Sequence, residues 1–259
     1  MGPASFLVTA ADLQPLHTTN RIIKYADDTY LIVPACNTNT CLDELEHIQD
    51  WASENNLKLN SAKTKEILFR ANQRAGNDVQ LPPLCQDIER VTSMTALAVV
   101  INDRLTATDH VSSLLESCSR LLYALRVLRD HGLPSSSMHD VFRSTVLAKL
   151  LYCAPVWAGF CSAADRDRLD AFLRRCKRLR YCDDTLPTIT DLLGNADDQL
   201  FNSVLVNSEH VLHSYIPDRA RPSYYRHLRP RKHSKVLIPK TRMLNDKDFI
   251  IRMLYKDIY

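Results

Sequence analysis

The chain has 259 residues and a formal net charge of +3 at pH 7, with 45% hydrophobic and 24% charged residues. This composition is typical of a globular protein with enough apolar material for one large domain or two small ones. The absence of a run of about 18 apolar residues argues against a transmembrane helix, and the absence of a cationic region before the first apolar residues argues against a secretory signal.

The cysteines also indicate an intracellular compartment, in the cytoplasm or the nucleus. They are widely spread and form no C-x-x-C pair; the eight positions are 36, 41, 85, 118, 153, 161, 176 and 182. In a chain without a signal, this pattern favours reduced thiols over a disulfide framework. Its spacing does not support a zinc site.

The first 108 residues predict strands with one intervening helix. The stretch "IIKYADDTYLIV" (22–33) predicts a β-hairpin, because β-branched and aromatic residues fill both arms and two aspartates fall where the chain turns. Apolar spacing predicts a helix over residues 42–52 and an extended segment over residues 57–69. Residues 71–90 are predicted to be a loop or connector, and a short strand is predicted over 97–101.

The pattern turns helical after residue 108. An apolar stripe over 111–128 predicts one long helix that Gly132 and Pro134 end. Two further helices are predicted to open with capping boxes, at Ser137-x-x-Asp140 and Ser162-x-x-Asp165. Residues 186–259 are a mixed segment with a basic middle.

Two segments carry charge of one sign. Residues 219–245 contain nine Lys or Arg and no acidic residue, and a second basic cluster covers 174–180. Such segments are candidate contacts for polyanions, although a solvated charged face or a disordered basic tail fits either cluster equally well.

Asp27 and Asp28 have three interpretations: a surface turn, a carboxylate pair for proton transfer, or half of a divalent-metal site. The pairs Asp183-Asp184 and Asp197-Asp198 lie in polar, turn-like surroundings and are interpreted as turn or helix-start residues. The first pair differs because two apolar arms would hold it at a rigid sheet edge. Hard cations such as Mg²⁺ prefer carboxylate oxygens in fixed geometry, and a paired-metal site supports phosphoryl transfer.

Tyr25-Ala26-Asp27-Asp28 resembles the Y-x-D-D motif of reverse transcriptases, and "IIKYADDTYLIVPA" resembles the jockey-like and related non-long-terminal-repeat retrotransposon enzymes. Further blocks resemble the same family in the same order: "GPASFLVTAADL" (2–13), "LNSAKTKEILF" (59–69), "LAVVINDRLTATDHV" (97–111), "VLAKLLYCAPVWAGF" (146–160), "LDAFLRRCKRLR" (169–180) and "RMLYKDIY" (252–259). The resemblance therefore covers most of the chain.

The resemblance implies a role for each matching residue. Asp27 would bind one of two Mg²⁺ or Mn²⁺ ions, and Asp28 would be a second acidic residue of the same site. The implied reaction is attack of a primer 3′-hydroxyl on a deoxynucleoside triphosphate, directed by an RNA template. Lys63 would lie near the triphosphate, although it fits a solvated lysine equally well. Tyr25 would pack against the DNA primer end, and it fits a strand-core aromatic equally well.

Basic helices would contact the nucleic-acid backbone. The implied phosphate contacts are Arg120, Arg126 and Arg129 on the first long helix and Arg174, Arg175, Lys177 and Arg178 on a later one. The stretch from Arg219 with Tyr224-Tyr225 suits single-stranded nucleic acid.

The sequence also departs from the family. The earlier strand with another metal-binding aspartate, the fingers and an endonuclease domain have no counterpart, and Met1-Gly2-Pro3 begins partway through the nucleotide-contact motif. The family usually has Leu-Gly where this chain has Leu97-Ala98, and alanine adopts fewer backbone conformations than glycine. We therefore expect an incomplete two-metal site, exposed hydrophobic edges and little polymerase activity from this chain alone.

Together these observations predict an α+β fold: a partial polymerase palm over 1–108, built from the antiparallel hairpin, further strands and helices, then a mainly helical thumb-like region over 109–185 and a basic region over 186–259. The expected function is that of a mobile-element reverse transcriptase, an RNA-directed DNA polymerase. The alternative is a non-catalytic nucleic-acid-binding remnant of the element.

Overall fold

The computed structural model describes residues 9–69, 82–85, 88–218, 233, 235–240 and 245–256. The chain divides into two compact units, residues 1–94 and 95–259. It mixes helices with small antiparallel and parallel sheets, in agreement with the predicted α+β class. In the described part of the chain, no helix is long and apolar enough to cross a membrane.

The first unit contains the predicted hairpin. Strand β1 (Arg21–Tyr25) pairs antiparallel with β2 (Asp28–Ile32). A 3₁₀ turn (Ala35–Thr40) leads into helix α1 (Cys41–Glu54), which confirms the helix predicted over 42–52. Strand β3 (Lys65–Ile67) then pairs in parallel with β4 (Glu89–Val91).

Polar contacts hold the hairpin and the segment before it in place within the first unit. Glu44 of α1 is fully buried and accepts hydrogen bonds from the amides of Leu16 (3.1 Å) and His17 (2.9 Å) and from Asn20 Nδ2 (2.9 Å). Burial acts to raise the pKa of Glu44, but these hydrogen bonds outweigh it and hold that pKa below its ordinary value. Lys24 of β1 donates to the Leu13 carbonyl at 2.8 Å and so ties the hairpin to the preceding loop.

A second hairpin, β5 (Ser93–Ala96) and β6 (Val99–Asn102), spans the boundary at which the second unit begins. The strand predicted over 97–101 is therefore displaced, because Leu97 and Ala98 form the turn. Both have left-handed backbone angles, with φ of 46° and 63°. The apolar run conceals this turn, since neither residue belongs to the types that usually mark one.

The helices of the second unit follow in order: α2 (Thr108–Asp130), α3 (Ser135–Phe142), α4 (Ala148–Leu151), α5 (Ala154–Trp157), α6 (Ala163–Arg178), α7 (Ile189–Val206) and α8 (Phe249–Tyr255). A π-helical segment (Arg143–Leu147) joins α3 to α4, and 3₁₀ turns cover Ala158–Phe160 and His213–Tyr215. The long helix predicted from the stripe over 111–128 is confirmed as α2.

Of the two predicted capping boxes, the one at Ser162 is confirmed. The Ser162 hydroxyl accepts from the Asp165 amide at 3.1 Å, and Asp165 Oδ2 accepts from the Ser162 amide at 3.0 Å. The prediction of a capping box at Ser137 is wrong, because α3 already begins at Ser135, directly after Pro134, and has no side-chain cap. Pro134 occupies the N-cap position, so Ser135 is the first helical residue and Ser137 already lies inside the first turn.

Two apolar cores stabilise the second unit. The larger lies among α2, α3, α4, α6 and the start of α7, around Val111, Phe142 and Leu169. The smaller joins α7 to α8 through Phe201, Val204, Ile216, Met253 and Leu254.

The interpretation of Asp197-Asp198 as a turn or helix start is wrong. Both residues lie in the middle of α7, where Asp197 pairs with Arg252 of α8 and Asp198 pairs with Lys256 at 2.8 Å. Their partners lie more than fifty residues away in sequence, so the local polar surroundings give no sign of them. This pair helps to attach α8, which carries the first half of the "RMLYKDIY" block.

Candidate functional site

The hairpin between β1 and β2 ends in a two-residue turn made of Ala26 and Asp27. Tyr25 and Asp28 face each other as the last paired residues, so the two aspartates lie side by side at the tip. Both are exposed, and Tyr25 beside them is 64% exposed. Because the arms pair in register from Arg21 to Ile32, the tip projects from regular backbone. Tyr25 is thus a surface residue in the described structure, not a buried aromatic.

Ala26 adopts a left-handed backbone, with φ of 51°. For a residue with a side chain this conformation costs roughly 1–2 kcal/mol. Residues in such conformations cluster at functional sites, and this one directly precedes Asp27.

The metal-ligand set at this tip is small. Asp27 and Asp28 supply the hard oxygen ligands that Mg²⁺ prefers. Yet in the parts of the chain that the structure describes, no three His, Cys, Asp or Glu residues form a group that could hold a metal ion. Among the described residues, Asp27 and Asp28 therefore supply part of a ligand set for such an ion.

Lys63 lies in the exposed turn over 61–63, before β3. Its amide donates to the carbonyl (3.0 Å) and side chain (3.2 Å) of Asn60. No described hydrogen bond or ion pair joins Lys63 to Asp27 or Asp28. The structure thus does not connect the three predicted catalytic residues by direct contact.

The two basic helices do lie together. Thr108 and Ser112, near the start of α2, contact Asp165 and Arg168 of α6, at 3.0 Å in each case. At the other end, Arg129 donates to the carbonyl of Leu179, also at 3.0 Å. Helices α2 and α6 therefore run side by side in the same direction.

The arginines of this helix pair differ in their partners. Arg120 and Arg126 of α2 are exposed and pair within the helix, with Glu116 (2.8 Å) and Asp130 (3.9 Å). Arg174, Arg175 and Arg178 of α6 are exposed and form no described ion pair. Such charges keep their full attraction for a polyanion.

Lys177 has a structural position. Its ammonium donates to the carbonyls of Asp184 (3.0 Å) and Leu186 (2.5 Å), which holds the loop after α6. Asp183 in that loop accepts from the amide and hydroxyl of Thr185, at 2.8 and 2.7 Å. This confirms Asp183-Asp184 as a turn pair.

Tyr123 on α2 is a surface residue that the sequence reasoning missed. Its side chain is 70% exposed, and it lies on the same helix as Arg120 and Arg126. The signal was an aromatic residue outside the apolar stripe of the helix. The predicted tail contacts at Arg219 and Tyr224-Tyr225 lie outside the described residues.

No family model, curated protein or solved structure gives a significant match to this chain.

Proposed function

We propose that this chain is the carboxy-terminal part of a reverse transcriptase from a jockey-like non-long-terminal-repeat retrotransposon. The observation that supports this most is the hairpin tip. Asp27 and Asp28 are adjacent and exposed there, next to the exposed Tyr25, on a turn that contains the left-handed Ala26. The order of the other family-like blocks in the sequence adds to this support.

In the proposed reaction, a DNA primer is extended with deoxynucleoside triphosphates on an RNA template. Divalent metals, when bound, would supply the charge that stabilises the attacking and leaving oxygens. Asp27 and Asp28 would contribute carboxylate oxygens to that set, Tyr25 would contact the primer end, and Lys63 would lie near the triphosphate. Two neighbouring carboxylates without a further ligand do not complete the site, so we expect little extension by this chain alone.

Primer extension tests the proposal. The chain would be assayed with an RNA template and a DNA primer, alone and mixed with a protein that supplies the missing aspartate strand of the family. We expect extension only in the mixture, and its loss with Asp27→Asn. Asp183→Asn is the matched control, because Asp183 is also an exposed turn aspartate of an Asp-Asp pair. Extension by the isolated chain, abolished by Asp27→Asn, would contradict the expected inactivity; extension in the mixture that survives Asp27→Asn would contradict the assigned site.

The second candidate is nucleic-acid binding without catalysis, favoured by the α2–α6 surface. Three α6 arginines without described ion pairs, Arg174, Arg175 and Arg178, lie on the helix that packs beside α2 with its exposed Tyr123. Arginines would contact phosphates, and an exposed aromatic offers a stacking surface for a base.

Fluorescence anisotropy with a labelled RNA–DNA hybrid, repeated across a salt series, tests this candidate. Affinity should fall as salt rises, and each arginine changed to glutamine should lower the slope of log K against log salt by about 1. Arg143→Gln is the control, because Arg143 lies on a different helical segment and pairs with Asp140 at 3.6 Å. Binding that is insensitive to salt, or equally weakened by Arg143→Gln, would contradict this surface. Binding that is unaffected by Asp27→Asn would show that it is separate from the hairpin tip.

A further inference from the structure

Two cysteine thiols of the first unit lie in contact although they are 44 positions apart in sequence. The sulfur atoms of Cys41 and Cys85 are 3.7 Å apart. Cys41 is half-buried at the first residue of α1, and Cys85 is buried just before β4. A disulfide needs a sulfur separation of about 2.05 Å. The two thiols are thus in contact, and bond formation requires the sulfur atoms to move closer still.

The backbone that precedes Cys85 is held in place by hydrogen bonds. Arg90 of β4 donates to the carbonyls of Pro82 (3.0 Å) and Pro83 (2.9 Å), which precede the cysteine. The same guanidinium pairs with Glu66 of the parallel strand β3 at 2.7 Å. This network fixes the segment that carries Cys85, and helix α1 fixes Cys41. The fold itself therefore places the two sulfur atoms beside each other.

We propose that Cys41 and Cys85 form an oxidative modification site in which peroxide converts the two thiols into a disulfide. Cys41 reacts first, because it is the more accessible of the two. Its sulfur, as the thiolate, attacks one peroxide oxygen and displaces hydroxide, which gives a sulfenic acid and, after protonation, one water. The Cys85 sulfur then attacks the Cys41 sulfur, the S–O bond breaks, and a second water leaves. Two electrons pass from the sulfurs to the peroxide, so the balance is two thiols and one hydrogen peroxide to one disulfide and two waters.

The local chemistry sets the rate of this step. Burial, together with the contact to Cys85, raises the pKa of Cys41 to about 12. Since the thiolate is the nucleophile, oxidation at neutral pH is slow. The site is thus suited to sustained oxidising conditions, and the product links α1 covalently to the segment that leads into β4.

Peptide mapping after peroxide treatment tests the proposal. The tryptic peptide 25–58 contains both Cys36 and Cys41, whereas 75–90 contains Cys85 alone. The experiment therefore uses Cys36→Ser as well as the wild-type chain, because Cys36 is exposed and is the competing thiol. The folded chain is incubated with hydrogen peroxide, alkylated, digested without reductant and analysed by mass spectrometry.

We expect a cross-linked 25–58/75–90 pair, lighter than the two free peptides by two hydrogen atoms and separated by dithiothreitol. It should form equally in Cys36→Ser and be lost in Cys85→Ser. The oxidised chain should also unfold at a higher temperature than the reduced chain, because the cross-link restricts the unfolded state. If this pair is absent while Cys36 is oxidised, or if it disappears in Cys36→Ser, the proposal is overturned.

Discussion

Replacing Ala98 with glycine should stabilise the protein, although it removes a side-chain methyl. Ala98 is the second residue of the turn between β5 and β6, is exposed, and has a φ of 63°. Leu97 before it is also left-handed, and its carbonyl accepts a hydrogen bond from the Tyr152 hydroxyl at 3.3 Å. A turn with two positive φ angles normally selects glycine at its second position.

The expected gain is the difference between two terms. Relief of the left-handed strain contributes roughly 1–2 kcal/mol. The additional freedom of glycine in the unfolded chain offsets this by about 0.4–1 kcal/mol. The net effect is about 1 kcal/mol of added stability, which for a chain of this size raises the melting temperature by roughly 2–4 °C. No contact is lost that would reverse the sign, because the Ala98 side chain faces solvent.

Urea and thermal unfolding followed by circular dichroism would measure the effect. Ala148→Gly is the matched control: Ala148 is also exposed, but it has helical backbone angles, with a φ of −58°. Glycine there should cost roughly 0.5–1 kcal/mol, so the same substitution has opposite signs at the two sites. If Ala98→Gly melts at or below the wild-type temperature while Ala148→Gly is destabilised as expected, the left-handed strain assigned to this turn is refuted.

Three further outcomes are expected. Glu44→Gln should lower the free energy of unfolding by about 1–3 kcal/mol at pH 7. Because the folded-state pKa of Glu44 is lowered, its stabilising contribution is present above the ordinary carboxyl pKa and disappears as pH falls through the folded-state pKa. The free energy of unfolding, measured against pH, should therefore decline less steeply in acid for the variant than for the wild type. Asp197→Asn should cost about 3–5 kcal/mol in urea titrations, because Arg252 would keep a largely buried charge without its carboxylate, and a cost as small as that of an exposed pair would contradict this. Gly159→Ala should release α8, since the added methyl would lie 2.2 Å from the carbonyl oxygen of Lys247; hydrogen exchange of the α8 amides should rise, and unchanged protection would show that the backbone accommodates the methyl.

Elements whose stabilising contacts are local were predictable from sequence. Helix α2 follows from the regular spacing of Val111, Leu114, Cys118, Leu122 and Leu125, all of which are buried. The β1–β2 hairpin follows from its two apolar arms. The tip residues Asp27 and Asp28 were also predictable as neighbours, since they are adjacent in the chain and a turn was required there.

Contacts between distant residues were not predictable in the same way. Asp197-Asp198 resembles a surface pair until Arg252 and Lys256 are brought beside it. Lys177 belongs to a basic cluster in sequence, yet the loop after α6 uses its ammonium as a donor. A pattern of residue types shows which side chains carry charge, but it does not show which of those charges the fold neutralises.

The packing of α8 against α7 has a consequence for synthesis of the protein on the ribosome. Helix α7 is complete at Val206, but Met253 and Leu254, which cover Phe201 and Val204, are synthesised roughly 50 residues later. At roughly 5–20 residues per second this interval lasts about 2–10 s. During that time Phe201 and Val204 lack the cover that Met253 and Leu254 provide, so the nascent chain exposes part of its smaller core to chaperones, and to aggregation, until α8 is made.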